Sequence, residues 1–312
     1  MQGNRSYGDL FFKPVLATMA LTVIIILVSI AFELYSKSGA SIQRFGLSFL
    51  WSSSWDVAKE EFGALPFIYG TLLTSAIALL IGLPVSLGVA ILLSELMRGM
   101  ARFTAVIGMF VELLASVPSV IYGLWGLFFL SPLVRTYVEV PLHKYLGFVP
   151  LFSSTPFGLD FFTAGILLSI MIIPTISSIA KGALEAVPAY QKEAMYALGA
   201  TKWEVIAKAI LPYAKSGIFA AAILGLARAV GETMAVTMVI GNQPSISASL
   251  FSGGYTLAAV IANQFTEATG SLYISSLIEI GLVLFLIALA INVSARAIIL
   301  RVGYAKGMNM NV

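Results

Sequence analysis

Residues 188–215 read PAYQKEAMYALGATKWEVIAKAILPYAK, a charged amphipathic segment set between two long apolar runs. Gln191 to Leu198 can form a short helix with Ala194, Ala197 and Leu198 along one face. Gly199 then stops it, because glycine tolerates the left-handed backbone that closes a helix. A second helix opens at Thr201, whose hydroxyl can cap it, and Glu204 three residues on gives the spacing of a capping box. A short amphipathic helix held on a rigid turn has the shape that lies in a groove of a partner. It also has the shape of an interfacial helix resting on lipid headgroups.

Outside this segment the chain is greasy. Of its 312 residues 59% are hydrophobic and only 11% charged, with a mean hydropathy of +0.96, against roughly 25% charged in soluble domains. Runs of the roughly 20 apolar residues that cross a bilayer occur near 15–35, 66–94, 104–130, 162–187, 214–241 and 272–300. They are continuous and rich in Leu, Ile, Ala and Val, unlike the alternating segments of a membrane barrel. The expected fold class is all-α: a polytopic membrane protein with six transmembrane helices. The first run is longer than the apolar core of a signal peptide and is read as an uncleaved span. Residues 1–65 form an N-terminal helix with an outer interfacial segment, and 66–302 the main transmembrane domain.

An even number of spans puts both termini on one face. Arg5, Lys13, Arg98, Arg102, Lys181, Lys192, Lys202, Lys208, Lys215, Arg296, Arg301 and Lys306 share it, against Lys37, Arg44, Lys59, Arg135 and Lys144 opposite. Lys and Arg accumulate on the cytoplasmic side, so both termini and the 188–215 segment are expected there. There is no cysteine and one histidine, His143, read as a solvated loop residue. Thiol chemistry is excluded and a histidine metal cage is not expected.

Residues 36–65, with Phe45, Phe49, Trp51, Trp55 and Phe62, read as an aromatic anchor at the lipid interface. Residues 131–161 hold four prolines and read as a mostly non-helical outer excursion. Residues 243–271 lack Lys and Arg and have room for a short re-entrant helix near Tyr255 to Gln264. No internal repeat is evident, which suggests half of a larger pore completed by another chain.

Glu193, Ala194 and Met195, then Gly199, then Leu211-Pro212, resemble the EAA loop of binding-protein-dependent ABC importer permeases. Met195 stands at the second Ala and Ala209 where Ile is usual, both apolar exchanges. The resemblance implies a type I ABC importer permease fold, with Glu193, Ala194, Gly199, Leu211 and Pro212 coupling to a cytoplasmic ATP-binding subunit. No Gly-rich Lys-Ser/Thr nucleotide loop occurs in the chain. ATP and Mg would be bound by that separate ATPase, so no cofactor is expected on this chain.

A second constellation, Gly225 to Thr233, places Arg228 near mid-span, where a bare charge costs at least about 2.5 kcal/mol. Glu232, four residues on, would share its helical face. The two could neutralise each other. Alternatively Arg228 lines the path of an anion, its planar fork suiting phosphate, with Glu232 restraining or releasing it and Thr233 extending the polar face. Ala220 to Ala222, Gly225, Ala227 and Gly231 allow close helix packing. Glu112, beside Ser116 and Pro118, could pair with Arg228 across the bundle or sit at the interface. Glu279 is assigned no role.

ARAVGETMAV in span five, with ELLASVPSVIYGL over residues 112–124, is similar to the permeases of the phosphate-specific transport (Pst) system, closer to the C-type than the A-type subunit. That family implies a heterodimeric channel with a homologous A-type permease. It also implies two copies of the ATP-binding subunit and an extracytoplasmic phosphate-binding protein, with no nucleic acid involved. Permeases for sulfate or molybdate, and a secondary anion transporter using Arg228, Glu232 and Glu112 as a relay, are the competing readings.

Overall fold

The computed structural model describes residues 7–97 and 99–304. Arg5, Arg98 and Lys306, and the side chain of Arg301, all counted in the charge comparison, lie outside what is described. The order of elements is α1 (Tyr7–Lys37), α2 (Gly39–Phe45), a small hairpin of β1 (Trp55–Asp56) and β2 (Glu61–Phe62), α3 (Leu65–Leu96) and α4 (Ala101–Ser116). Then follow α5 (Ser119–Leu146), α6 (Phe161–Glu185), α7 (Ala189–Ala197) and α8 (Lys202–Gly231). The chain continues as α9 (Met234–Val239), α10 (Leu257–Gln264) and α11 (Ser271–Tyr304). Among the described residues six helices, α1, α3, α5, α6, α8 and α11, are long and apolar enough to cross a membrane.

Their number agrees with the sequence reading, but two spans are placed differently. The run at 104–130 is two helices, not one. Val117, at φ −66° and ψ 127°, is extended ahead of Pro118, as a residue before proline must be when the ring crowds the helical region. The third span is therefore α5. Its helix continues through Pro132 and Pro141, so residues 131–146 are not the irregular excursion the prolines suggested, and His143 is a half-buried helical residue. His143 Nδ1 lies 2.8 Å from the Phe152 carbonyl, to which it donates, and so fastens the turn after the helix.

Wide π turns explain how the prolines are carried. Gly126–Leu130 immediately precedes the turn containing Pro132, Arg135–Glu139 that containing Pro141, and Ile206–Ile210 that containing Pro212. A proline lacks the N–H that bonds four residues back, and its ring strikes that carbonyl. Widening the turn before it moves the carbonyl aside without ending the helix.

The second displacement is in span five. Helix α8 ends at Gly231, Glu232 is extended at ψ 129°, and α9 starts afresh after Thr233. The run 214–241 is thus a broken helix.

At the centre lies α6, with 61% of its most apolar window buried. Lipid tails supply no hydrophobic drive between helices, so close backbone approach at small residues must hold the bundle. A Cβ on Gly165 would collide with Ile77 of α3, one on Gly82 with Ile172 of α6, and one on Gly225 of α8 with Ile176 of α6. Gly231, by contrast, meets nothing and contributes no packing. The principal cluster gathers Leu167, Leu168, Ile172, Ile176 and Leu184 of α6 with Val236 and Val239 of α9.

A separate cluster joins Phe49, Phe62, Phe67, Tyr255, Leu257, Leu277 and Ile280. Phe49 and Phe62 are fully buried and Trp55 packs edge-on against Phe62 and Phe67. These rings are the core of a folded cap, not a lipid anchor; Trp51 alone of the two tryptophans stays largely exposed. Helix α10 forms where a re-entrant helix was expected, with Thr256 Oγ1 accepting from the Ala259 amide. Among the described residues the departures from an all-α chain are the β1–β2 hairpin and a single parallel bridge between Gly241 and Gly254.

Candidate functional site: an exposed turn and a charged helix break

The 188–215 segment folds as its sequence dictates. The amide of Gly199 donates to the Tyr196 carbonyl at 2.9 Å and that of Ala200 to the Met195 carbonyl at 3.1 Å, the paired bonds of a Schellman closure. Gly199 takes φ +80°, which only glycine adopts without cost. The capping box is complete: the Glu204 amide donates to Thr201 Oγ1, and the Thr201 amide to Glu204 Oε2 at 3.0 Å. Glu193, Ala194, Ala197 and Leu198 are exposed, Leu198 at 84%, with Tyr190 and Trp203 beside them. An apolar face in a polar setting is thereby left bare. Leu211 is half-buried and Pro212 follows it in the turn beyond the π widening, so α8 runs unbroken from Lys202 to Gly231.

At the other end of α8, Arg228 lies in the last turn, where the negative end of the helix dipole favours a cation. Its Nη1 donates to Thr175 Oγ1 of α6 at 3.2 Å. Arg228 is exposed on the surface of the chain, and Tyr122 of α5 lies within reach of its charge. Glu232 is not its partner: no Arg228–Glu232 ion pair is present among the described residues. The shared face required a helix through residue 232, and the helix has ended. Glu232 Oε1 instead accepts from the Ala235 amide at 3.3 Å and steadies the start of α9. Thr233 donates to the Gly231 carbonyl and Thr237 to the Thr233 carbonyl at 2.7 Å, so both hydroxyls serve their own backbone.

Glu112 is not brought to Arg228. It is exposed on α4 and lines a cavity of about 660 Å³ with Glu95, Lys181, Glu185 and Lys192, near the turn at Gly199. Glu279 is buried in α11 with Oε2 unpartnered.

Two charged clusters escaped the sequence reading. Lys192 of α7 donates to Glu95 at the end of α3 over 2.5 Å, each side chain only 7% exposed. Glu139 of α5 and Asp160, the N-cap of α6, are both fully buried. Asp160 Oδ1 accepts from the Thr163 amide and Glu139 Oε1 from the Thr163 hydroxyl, each at 2.9 Å. Their other oxygens, Oε2 and Oδ2, find no donor. Burial, then the neighbouring Glu139 charge, pushes Asp160 up to about 8. The Asp160 cap was visible in sequence as an acid before Phe161-Phe162-Thr163. The two pairings were not, since each joins residues far apart in the chain.

Residues 82–304 match the family described as binding-protein-dependent transport system inner membrane component. The chain belongs to that family. It is 45% identical over 304 residues to the phosphate transport system permease protein PstC of Mesorhizobium japonicum, covering 96% of this chain and 92% of the relative. It is 43% identical over 308 residues to PstC of Pasteurella multocida, covering 97% and 95%. Among solved structures, an inward-facing form of the MetNI methionine ABC transporter superposes with a TM-score of 0.57 at 20% identity. It covers 76% of this chain and 94% of that one, and places the chain in the type I ABC importer permease fold. This is a multi-pass membrane permease, a subunit of a transporter complex.

Proposed function

We propose that the chain is the C-type permease of an ATP-driven importer of inorganic phosphate, forming half of the translocation path. The observation that carries this is the pairing, on one unbroken helix, of an exposed docking turn at one end and Arg228 at the other. Its relatives named for phosphate transport support the cargo. In this reading both termini and the docking turn are cytoplasmic, in the bacterial inner membrane. Glu193, Ala194, Gly199, Leu211 and Pro212 form the surface engaged by one of two ATP-binding subunits, which hold ATP and Mg²⁺. A homologous A-type permease completes the pore, and an extracytoplasmic phosphate-binding protein delivers the substrate.

Arg228 is exposed on the isolated chain, and facing lipid it would cost at least about 2.5 kcal/mol. Placed toward the second permease it faces water and the passing anion. Its guanidinium, steadied by Thr175, can offer paired hydrogen bonds to a phosphate oxygen pair. Glu232, freed from Arg228 and fixed at the break, sets a negative charge beside the path that limits how long the anion stays. Glu112 lies nearer the docking turn, where it would repel an anion and so favour its release.

Vesicles reconstituted with both permeases, the ATPase and the binding protein should take up phosphate only with ATP, unchanged by excess sulfate or molybdate. Arg228→Gln should slow uptake about 10- to 100-fold, the loss of a charge-assisted bond of roughly 1.5–3 kcal/mol. Uptake by vesicles lacking the ATPase, driven by a proton gradient, would overturn the reading in favour of a secondary transporter.

A further inference from the structure

The docking turn is tied to a span that is not its neighbour in sequence. Lys192 precedes the exposed Glu193, yet it turns inward and is 6% exposed, meeting the Glu95 carboxylate 97 residues away. Lys202, at the start of α8, donates its Nζ to the Leu96 carbonyl at 3.1 Å, the negative end of α3. Two lysines from either side of Gly199 thus grip the last two residues of α3. A buried charge pair holds together because neither charge can be left alone out of water. Here it is flanked by cavities of about 660 and 420 Å³, each of which it lines. The connection therefore rests on the ion pair and the Lys202 bond more than on packed side chains.

At its other end α3 holds a different segment. Tyr69 donates its hydroxyl to the Ser247 carbonyl at 2.6 Å, and the Leu257 amide donates to Thr71 Oγ1 at 3.0 Å. Gly70 allows the Tyr255 carbonyl to approach so closely that any Cβ there would strike it. Residues 247–257 follow the helix break at Glu232 and α9. Helix α3, 32 residues long and so about 48 Å from end to end, is fixed at both ends to parts of the transport apparatus.

We propose that Glu95 and Lys192 form a joint through which movement of the docking turn reaches α3, and that α3 acts as a connecting rod to the 247–257 segment beyond the pathway. Both are positioning residues that touch no substrate. The proposal rests on the docking reading above, and adds a third driven span to α6 and α8, which the turn joins covalently.

The test uses the full complex in proteoliposomes with inorganic phosphate, comparing Glu95→Gln, Lys192→Gln and the exchanged pair Glu95→Lys with Lys192→Glu. In the single variants the ATPase should co-purify at the native ratio and hydrolyse ATP. Phosphate moved per ATP should fall about tenfold or more, because the surviving charge has lost its partner. The exchanged pair should recover most of the coupling. A spin label at Leu80→Cys, exposed on α3 in a chain without cysteine, should respond to ATP, and the response should vanish with Glu95→Gln. Native coupling in both single variants, or a label response that survives Glu95→Gln, would overturn the proposal. Should the single variants not assemble, the exchanged pair decides: assembly without coupling overturns it. Failure of the ATPase to co-purify with the native chain would instead refute the docking reading.

Discussion

Gly199 and Asp160 are both fixed by what their backbones demand, and both give measurable consequences. At φ +80° a residue with a Cβ is strained, by roughly 1–2 kcal/mol, although nothing lies within 4 Å to obstruct the atom itself. Gly199→Val should therefore insert and fold, yet lose the angle between α7 and α8 and with it ATP-dependent uptake; undiminished uptake would refute the role of the turn. Asp160 holds its proton to about pH 8 in the folded chain but releases it near 3.9 when unfolded. The folded state binds the extra proton, so the contribution of Asp160 to stability is full below about pH 4, declines as pH rises from about 4 to 8, and is gone above that. Asp160→Asn keeps an acceptor for the Thr163 amide and supplies a permanent donor to Glu139. Its thermal midpoint should be nearly flat from pH 5 to 8 and exceed that of the native chain at pH 8. Gly199 was legible because one glycine between two amphipathic helices admits one explanation. Asp160 with Glu139, and Lys192 with Glu95, were not: each residue taken singly is an ordinary charge near a span end, and only folding makes it a partner.

At the level of helices, hydropathy located the spans but not their interruptions. Apolar residues look alike on both sides of a break, so the run over 104–130 concealed the turn at Val117-Pro118, and the run over 214–241 concealed the end of α8 at Gly231. Prolines misled in the opposite direction at 132 and 141, where a π turn absorbs the ring and the helix persists. The same device at Ile206–Ile210 sets the rotation of the docking turn about the axis of α8. Pro212→Ala removes the reason for the widening. Regularising that turn to 3.6 residues would rotate Thr201 and Trp203 by about 100° relative to Arg228. The variant should fold with native helicity, bind the ATPase weakly, and show a lower phosphate yield per ATP; native binding and yield would separate the π turn from coupling.

For the molecule as a whole, the unfinished surface is as informative as the core. None of the most apolar window of α1 is buried, and Phe110 of α4 and Phe128 of α5 are 58% and 74% exposed. Because the chain has no cysteine, Phe110→Cys or Phe128→Cys paired with cysteines on the second permease should cross-link in the assembled complex. Absence of any cross-link at both positions would place the second permease elsewhere. Six spans without a repeat suggested from sequence that another chain completes the pore; which faces would meet it depends on packing angles that no pattern of residues displays.

Finally, the apolar interior is divided. The cluster around Phe49, Phe62, Phe67 and Tyr255 shares no buried residue with the one around α6. Regions with separate buried clusters can differ in local stability. On warming, the protein should melt in two steps, with amide exchange quickening at different temperatures around Phe49 and around Ile172. A transporter so divided would loosen first around one cluster, while the other still holds its part of the bundle in shape.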